Sequence, residues 1–329
     1  MIEVSAGVIY DPAGQILICQ RGEGRNNAHL WEFPGGKREA GESAADCLVR
    51  ELQEELSLPV KNVQEIASAV HGGIRFIFLR ADTTAQPIRT EHEDARFVTP
   101  REMLKYDFCP ADVNMARRLA FAKVRHAAWD FDGTLLDSYP AMVRAFIVGA
   151  AEYGIALTPE RTLSLMKENL GHCCRVIAGE NGLDSHDLLA AFRRHEQGEL
   201  QKGLPPMPGI TEAIEEMHRR GVSHYVATHR DLQSRDLLDK AGLLPYFTGF
   251  VTEEDKLPRK PAPDMLIHLM EKHGLTLEEC VMIGDRPLDT ESGIAAGMLS
   301  ILIDPEDRFP DAACDVRIHH AGELLDFIG

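Results

Sequence analysis

The sequence predicts two domains of different class, a mixed α+β domain over residues 1–125 and an α/β domain with a parallel sheet over residues 126–329. Three observations carry this. The chain has 329 residues, more than the roughly 100–200 that one ordinary domain holds. The first part mixes short β-rich runs with two helical patterns, whereas beyond Pro208-Gly209 apolar strands and helical segments alternate, as crossover helices on a parallel sheet require. The charge is also divided unevenly, with 16 Lys/Arg against 18 Asp/Glu in residues 1–125 and 19 against 34 in the remainder.

Taken in order, residues 2–10 and 15–20 form a hairpin around the turn Asp11-Pro12-Ala13-Gly14. A helix runs from Ala44 to Leu56, with Ala45, Leu48, Leu52 and Leu56 on one face and Glu42-Ser43 at its start. Val70 to Ala81 and Ala95 to Val98 read as strand, and Ala111 to Lys123 as a closing helix. The second domain opens on the apolar strand Ala127-Ala128-Trp129, which ends in carboxylates. Residues 138–205 then read as a helical insertion. Further strands are Ser223 to Thr228, Phe250-Val251, Val281 to Gly284 and Leu299 to Ile303. No Gly/Ser- or Pro-rich linker separates the halves, which predicts packed neighbours.

Composition excludes several classes. Hydrophobic residues at 44% and charged residues at 26% are globular values, not those of a disordered chain. Apolar runs such as Ile74 to Leu79, broken by Arg75, fall short of the ~20 residues of a membrane span, and the N-terminus lacks a signal-peptide pattern, so a cytoplasmic protein is expected. A net charge of −17 disfavours a nucleic-acid polymer as partner. A homo-oligomer is compatible with the sequence. Seven cysteines without a CxxC pair argue against a disulfide framework or structural zinc, and Cys173-Cys174 read as core fillers.

Two constellations carry chemistry. In Arg50-Glu51-Leu52-Gln53-Glu54-Glu55-Leu56, three glutamates related by i+3 and i+4 share one helix stripe, where their mutual repulsion needs a counter-charge. With five residues between Gly36 and Glu42 and seven between Glu42 and Arg50, the pattern resembles the Nudix box, departing from it at Ser57, where the family has Gly. The resemblance implies an α/β/α sandwich in which Glu51, Glu54 and Glu55 hold Mg²⁺ or Mn²⁺ against a diphosphate. Arg50 would orient the carboxylates, and Glu54, Glu51 or a loop residue such as Glu91 would act as base. Trp31-Glu32-Phe33-Pro34-Gly35-Gly36-Lys37 looks like the MutT-like branch, which cleaves nucleoside triphosphates to monophosphate and pyrophosphate. That implies substrate contacts at Arg21, Phe33, Gly35, Gly36, Lys37 and Asp112. Asp112 is equally readable as a base contact or a helix N-cap, and Arg21 as a phosphate contact or a surface charge.

The second constellation is Asp130-Phe131-Asp132-Gly133-Thr134 at one strand end, Thr228 at another, Lys260 before Pro261, and Gly284-Asp285 with Asp289 at a third strand end. Strand ends are where open α/β sheets place ligands. Together these resemble the haloacid-dehalogenase superfamily, in particular its phosphoglycolate-phosphatase-like members, with residues 138–205 as a small helical cap on a Rossmann-like core. The resemblance implies Asp130 as nucleophile, Asp132 as acid and base, and Thr228 and Lys260 on the phosphoryl oxygens. Mg²⁺ would lie on Asp130, Asp285 and the Asp132 carbonyl, with Asp289 in support. Gly171 to Arg175 is expected to be a cap loop facing the site, with Arg175 either reading a second anion or lying at the surface; His229 and Arg230 lie nearby unassigned. The expected function is hydrolysis of a nucleoside triphosphate, oxidised guanine or cytidine nucleotides included, followed by dephosphorylation of a small phosphomonoester, the released nucleotide being one candidate. Alternatives are a nucleoside diphosphate sugar or dinucleotide hydrolase joined to a sugar-phosphate or phosphoglycolate phosphatase, and a nucleotide-sensing regulatory domain.

Overall fold

The computed structural model describes residues 1–329 as two compact units, Met1–Ala122 and Lys123–Gly329. In the first unit a seven-stranded mixed sheet comprises β1 (Ile2–Tyr10), β2 (Ile16–Gln20), β3 (Trp31–Glu32), β4 (Gly35–Lys37), β5 (Lys61–His71), β6 (Ile74–Asp82) and β7 (Asp94–Val98). The order is β3-β2-β1-β6-β5, with β4 on β1 and β7 on β2, and β1 and β6 run parallel. Helix α1 (Ala44–Leu56) buries Leu48, Leu52 and Leu56 against Ile9, Leu17 and Leu79 on one face of the sheet, and α2 (Val113–Phe121) contributes Met115 and Ala116 to a separate apolar cluster with Phe33, Phe78 and Phe108.

The sequence places both ends of α1. Ser43 caps the first turn by accepting from the Asp46 N–H at 3.1 Å. Ser57 ends the helix in the left-handed region, φ 47° and ψ 37°, donating its N–H to Gln53. A side chain is strained there, so Ser57→Gly is expected to stabilise the protein by about 1 kcal/mol, read as a raised Tm with unchanged activity.

One expectation is corrected. Val70 to Ala81 is not one strand but the end of β5 and most of β6, folded back at Gly72-Gly73, whose φ values of 56° and 77° suit a tight hairpin turn.

In the second unit six parallel strands, β8 (His126–Trp129), β9 (Ser223–Ala227), β10 (Phe247–Val251), β11 (Cys280–Gly284), β12 (Leu299–Ile303) and β13 (Val316–Ile318), lie in the order β10-β9-β8-β11-β12-β13. This is the doubly wound Rossmann-like order, and it reverses direction at β8, where β9 and β11 flank the first strand. Helices α7 (Ile210–Arg219), α8 (Gln233–Lys240), α9 (Asp264–His273) and α10 (Pro287–Ala295) belong to this core, into which α9 buries Met265, Leu266 and Leu269. The three-residue β13 escapes sequence reading because it is too short to show a period.

Between β8 and α7 stand four cap helices, α3 (Tyr139–Ala151), α4 (Pro159–Glu168), α5 (Leu170–Asn181) and α6 (Ser185–Gln201). They enclose a core of their own that includes Phe146, Ile177, Leu188 and Phe192, with Cys173 and Cys174 as fillers. The two chain passages joining cap and core run side by side, Asp137 donating to the Pro205 carbonyl at 2.8 Å and Met207 to that of Leu135 at 2.9 Å. Gly171 to Arg175 is the first part of α5, not a loop, because the Asn169 side chain accepts the His172 N–H at 2.6 Å and starts a helix there. No helix in the chain is long and apolar enough to cross a membrane.

Candidate active sites

In the second unit the carboxylates collect where the sheet order reverses. Asp130 follows β8, and Asp285 follows β11; Asp289 lies in the first turn of α10. All three are buried, and a carboxylate oxygen from each lies within 4.8 Å of the others. Lys260 is held among them, its Nζ 2.5 Å from Asp130 Oδ1, 2.6 Å from Asp289 Oδ1 and 3.0 Å from the Ala227 carbonyl at the end of β9. Arg286 approaches Asp130 Oδ2 at 3.6 Å and Asp285 at 3.9 Å. Burial opposes the Asp130 charge, but Lys260 and Arg286 override it and hold its carboxyl below the usual range. Asp285 is pushed up to about 7 by burial, only partly relieved by Arg286. Its oxygens receive Thr134 Oγ1 at 3.3 Å and Tyr139 Oη at 3.4 Å.

Two glycines make room for this cluster. A Cβ on Gly133, whose φ is 80°, would stand 2.6 Å from an Asp285 oxygen and 2.3 Å from the Tyr139 ring. One on Gly284 would stand 2.3 Å from the Asp289 Cβ. The donor set suits a hard divalent cation: three buried carboxylates, with Asp130 Oδ2 left without a hydrogen-bond partner. Asp132 turns its side chain away from the cluster, and Arg230 Nε lies 2.8 and 2.9 Å from its two oxygens. Thr228 Oγ1 accepts the Arg230 N–H at 3.1 Å. Above these residues a cavity of about 730 Å³ opens between core and cap, with Met142, Leu170, Arg175 and Phe192 on the cap side and His229 and Arg259 on the core side.

The first unit gathers its acids along α1. Arg50 spans them, with Nε 2.9 Å from Glu42 and Nη1 3.0 Å from Glu51 and 3.2 Å from Glu54, and it donates to the Lys37 carbonyl at 3.3 Å. Glu51 lies over Gly36, where a Cβ would come within 2.3 Å of its carboxylate. Gly35, at φ 147°, allows β4 to approach β1, since a Cβ there would stand 2.0 Å from the Ser5 carbonyl. Glu55 is buried, its Oε2 has no hydrogen-bond partner, and burial pushes its carboxyl up to about 7 against the opposing field of His92. His92 stands between it, at 3.9 Å, and Glu32, at 3.5 Å, and Glu32 pairs with Arg21. Nearby, burial and Glu32 push Asp112 up to about 8, although its carboxyl accepts the Phe33 N–H.

Residues 2–119 match the family model of the Nudix domain, and residues 127–303 match that of haloacid dehalogenase-like hydrolases. The CTP pyrophosphohydrolase of Escherichia coli (strain K12) is 39% identical over 134 residues, covering 39% of this chain and 96% of that protein. The 8-oxo-dGTP diphosphatase of Haemophilus influenzae is 32% identical over 126 residues, covering 36% of this chain and 91% of that protein. Hexitol phosphatase A of Escherichia coli (strain K12) is 30% identical over 201 residues, covering 60% of this chain and 91% of that protein. The chain belongs to both families. It is an enzyme with a Nudix hydrolase domain and a haloacid-dehalogenase-like phosphatase domain, and both families generally use divalent metals.

The structure departs from the expected sites at particular residues. The three-acid set whose ligand oxygens fall within 4.8 Å of one another is Asp130, Asp285 and Asp289, and Glu51, Glu54 and Glu55 do not form such a set. Arg50 draws Glu51 and Glu54 to itself, while Glu55 turns inward toward His92. The fit to a cation on this helix therefore rests on Glu55 Oε2, which is buried without a hydrogen bond, and on the Glu51 carboxylate lying over Gly36. Phe33 is no open contact surface; its ring is buried against Phe78 and Phe108, and only its main chain meets Asp112. Asp112 precedes α2 but makes no side-chain capping bond. Glu91 is exposed and pairs with Arg25, and its field reaches Glu55 without joining it. In the phosphatase domain, the Asp132 side chain is not part of the acid cluster, whereas Asp289 lies within it. Glu32, His92, Glu196 and Arg286 went unread. Strand alternation between Trp31 and Phe33, and adjacency to Asp285, were the available signals for Glu32 and Arg286.

Proposed function

We propose that the Nudix domain hydrolyses a nucleoside triphosphate to monophosphate and pyrophosphate, and that the phosphatase domain removes phosphate from a small phosphomonoester, the released monophosphate being the leading candidate. In the phosphatase domain, an Asp130 oxygen attacks phosphorus as the ester P–O bond breaks, and Asp132 gives a proton to the departing oxygen. Asp132 then takes a proton from the water that opens the aspartyl phosphate. Lys260 and Thr228 hold the phosphoryl oxygens. A divalent cation on Asp130, Asp285 and the Asp132 carbonyl, with Asp289 beside it, would neutralise phosphoryl charge. The observation that carries this reading is Lys260, buried between Asp130 and Asp289 with the other Asp130 oxygen free of any hydrogen bond. The cavity of about 730 Å³ is large enough for a nucleoside monophosphate.

In the Nudix domain, Glu51 and Glu55 are the more enclosed carboxylates and suit a cation on the diphosphate. Glu54, more exposed, suits taking the proton of the attacking water. Specificity turns on Asp112. A neutral carboxyl offers one donor and one acceptor, which match the N3 acceptor and N4 amino donor of cytosine, whereas a carboxylate can only accept. Raised to about 8, Asp112 favours its neutral form at pH 7, which fits the cytosine edge and gives up the paired contact that a carboxylate makes with the N1–H and N2–H of guanine, so cytidine nucleotides are the favoured substrates.

The acid form is lost as pH rises through about 8. Between pH 7 and 9, kcat/KM for CTP is therefore expected to fall on the order of tenfold beyond what Asp112→Asn shows, because the amide keeps a donor and an acceptor at every pH. Steady-state kinetics on both proteins with CTP, dGTP and 8-oxo-dGTP check this. Equal slopes in both, or a preference for guanine nucleotides, would remove Asp112 from base selection.

A further inference from the structure

The Arg230 guanidinium is the one donor to the Asp132 carboxylate, with Nε 2.8 and 2.9 Å from its two oxygens. Its other end is tied to the cap, Nη2 lying 3.0 Å from Glu196 Oε1 on α6. The side chains of Arg230, Asp132 and Glu196 are 13%, 19% and 15% exposed, so solvent screens this chain little. The Arg230 main chain is fixed independently, its N–H on Thr228 Oγ1 and its carbonyl accepting from Glu253 at 2.9 Å. The guanidinium carbon lies 5.8 Å from the Phe131 ring centroid. The remaining freedom is in the guanidinium itself, and Glu196 is the group that settles it.

From this geometry we infer that Arg230 and Glu196 are positioning residues, through which the seated cap aims Asp132 at the leaving-group oxygen. The inference rests on reading Asp132 as the proton donor. A cap residue with no reach to phosphorus thereby sets how well a proton is delivered. When the Asp130–phosphorus bond forms and the ester P–O bond breaks, Asp132 in its carboxylic acid form, one oxygen still accepting from Arg230 Nε, passes its proton to the leaving oxygen and is left as the carboxylate. Two separate nitrogens of one planar guanidinium hold the two ends of this arrangement, Nε on Asp132 and Nη2 on Glu196, at a fixed spacing that the single nitrogen of a lysine ammonium does not provide.

Proton delivery matters in proportion to the basicity of the leaving group, and this separates positioning from mere support. The full chain with Mg²⁺ is assayed on p-nitrophenyl phosphate, whose leaving phenolate needs little help, and on the similarly shaped phenyl phosphate, whose leaving phenolate is more basic. The parameter is kcat/KM, which ends at formation of the aspartyl phosphate. Glu196→Ala and Arg230→Lys are expected to lower kcat/KM for phenyl phosphate at least about fivefold more than for p-nitrophenyl phosphate, a fraction of the 10²–10⁴ that a placed acid supplies. Glu196→Gln, which keeps the size and one acceptor, falls between wild type and Glu196→Ala at an unchanged Tm. Equal losses on both substrates, or no loss, overturn the inference. Asp130→Asn is the separate control: retained turnover there would strike at the nucleophile itself and so at the reading beneath, whatever the Glu196 variants show.

Discussion

Asp130→Asn is expected to abolish phosphomonoester hydrolysis, by on the order of 10³-fold or more, because the amide is no nucleophile and nothing else in the cluster can take its place. Asp285 and Asp289 are equally buried, but they lie on a different strand end and helix, and Asp289 is spent on Lys260. Cleavage of CTP by the Nudix domain should be unchanged in the same protein, so each preparation carries its own control. Stability should move little. Removing one partner of a buried ion pair costs roughly 3–5 kcal/mol when the remaining charge is stranded, but here Lys260 keeps Asp289 at 2.6 Å, and crowding among three carboxylates is relieved. Phosphate release from p-nitrophenyl phosphate, pyrophosphate release from CTP and a melting curve together check the prediction.

Glu55→Gln is expected to act oppositely on function and stability. Nudix turnover should fall on the order of 10²-fold if Glu55 holds the proposed cation, since an amide would be a poor ligand for it. The metal-free protein should become more stable. The folded-state value of Glu55, about 7, lies above its unfolded value of 4.5, so folding favours the neutral form. The penalty is absent below the unfolded value, grows as pH rises through this window and is complete above about 7. Removing it is worth about 1–2 kcal/mol above neutrality, after discounting for partial solvent access, and nothing at pH 4. Melting in EDTA at pH 4 and pH 8 reads this directly. A Tm that rises equally at both values would show that packing, not charge, is responsible.

How far the sequence could be read depended on whether the cause of a feature is local. Helix α1 was legible to the residue, because its Ser43 cap, its leucine stripe and its left-handed end at Ser57 are all written within fifteen positions. The phosphatase residues were legible as strand ends, because β8, β9 and β11 are short apolar runs that each stop at a polar residue. The hairpin between β5 and β6 was missed although Gly72-Gly73 marks it, since an almost wholly exposed β5 offers no alternation to set against β6. Gly171 to Arg175 reads as a loop from its own residues because the capping signal of the helix it belongs to, Asn169, lies just outside the segment. What could not be read were partnerships across long sequence separation. Glu196 meets Arg230 across 34 residues, and Arg230 meets Asp132 across 98. His92 reaches Glu32 and Glu55 only because the segment before β7 folds over α1. No period or spacing encodes such meetings; packing creates them.

Phosphorus NMR of the full chain with CTP and Mg²⁺ tests the two-site chemistry most directly. Cytidine monophosphate and pyrophosphate are expected first and in equal amounts, with inorganic phosphate and cytidine following, and Asp130→Asn should stop the course at the monophosphate. Early inorganic phosphate with cytidine diphosphate, or a monophosphate that persists in the wild-type protein while another phosphomonoester is consumed, would contradict the first step or the coupling respectively.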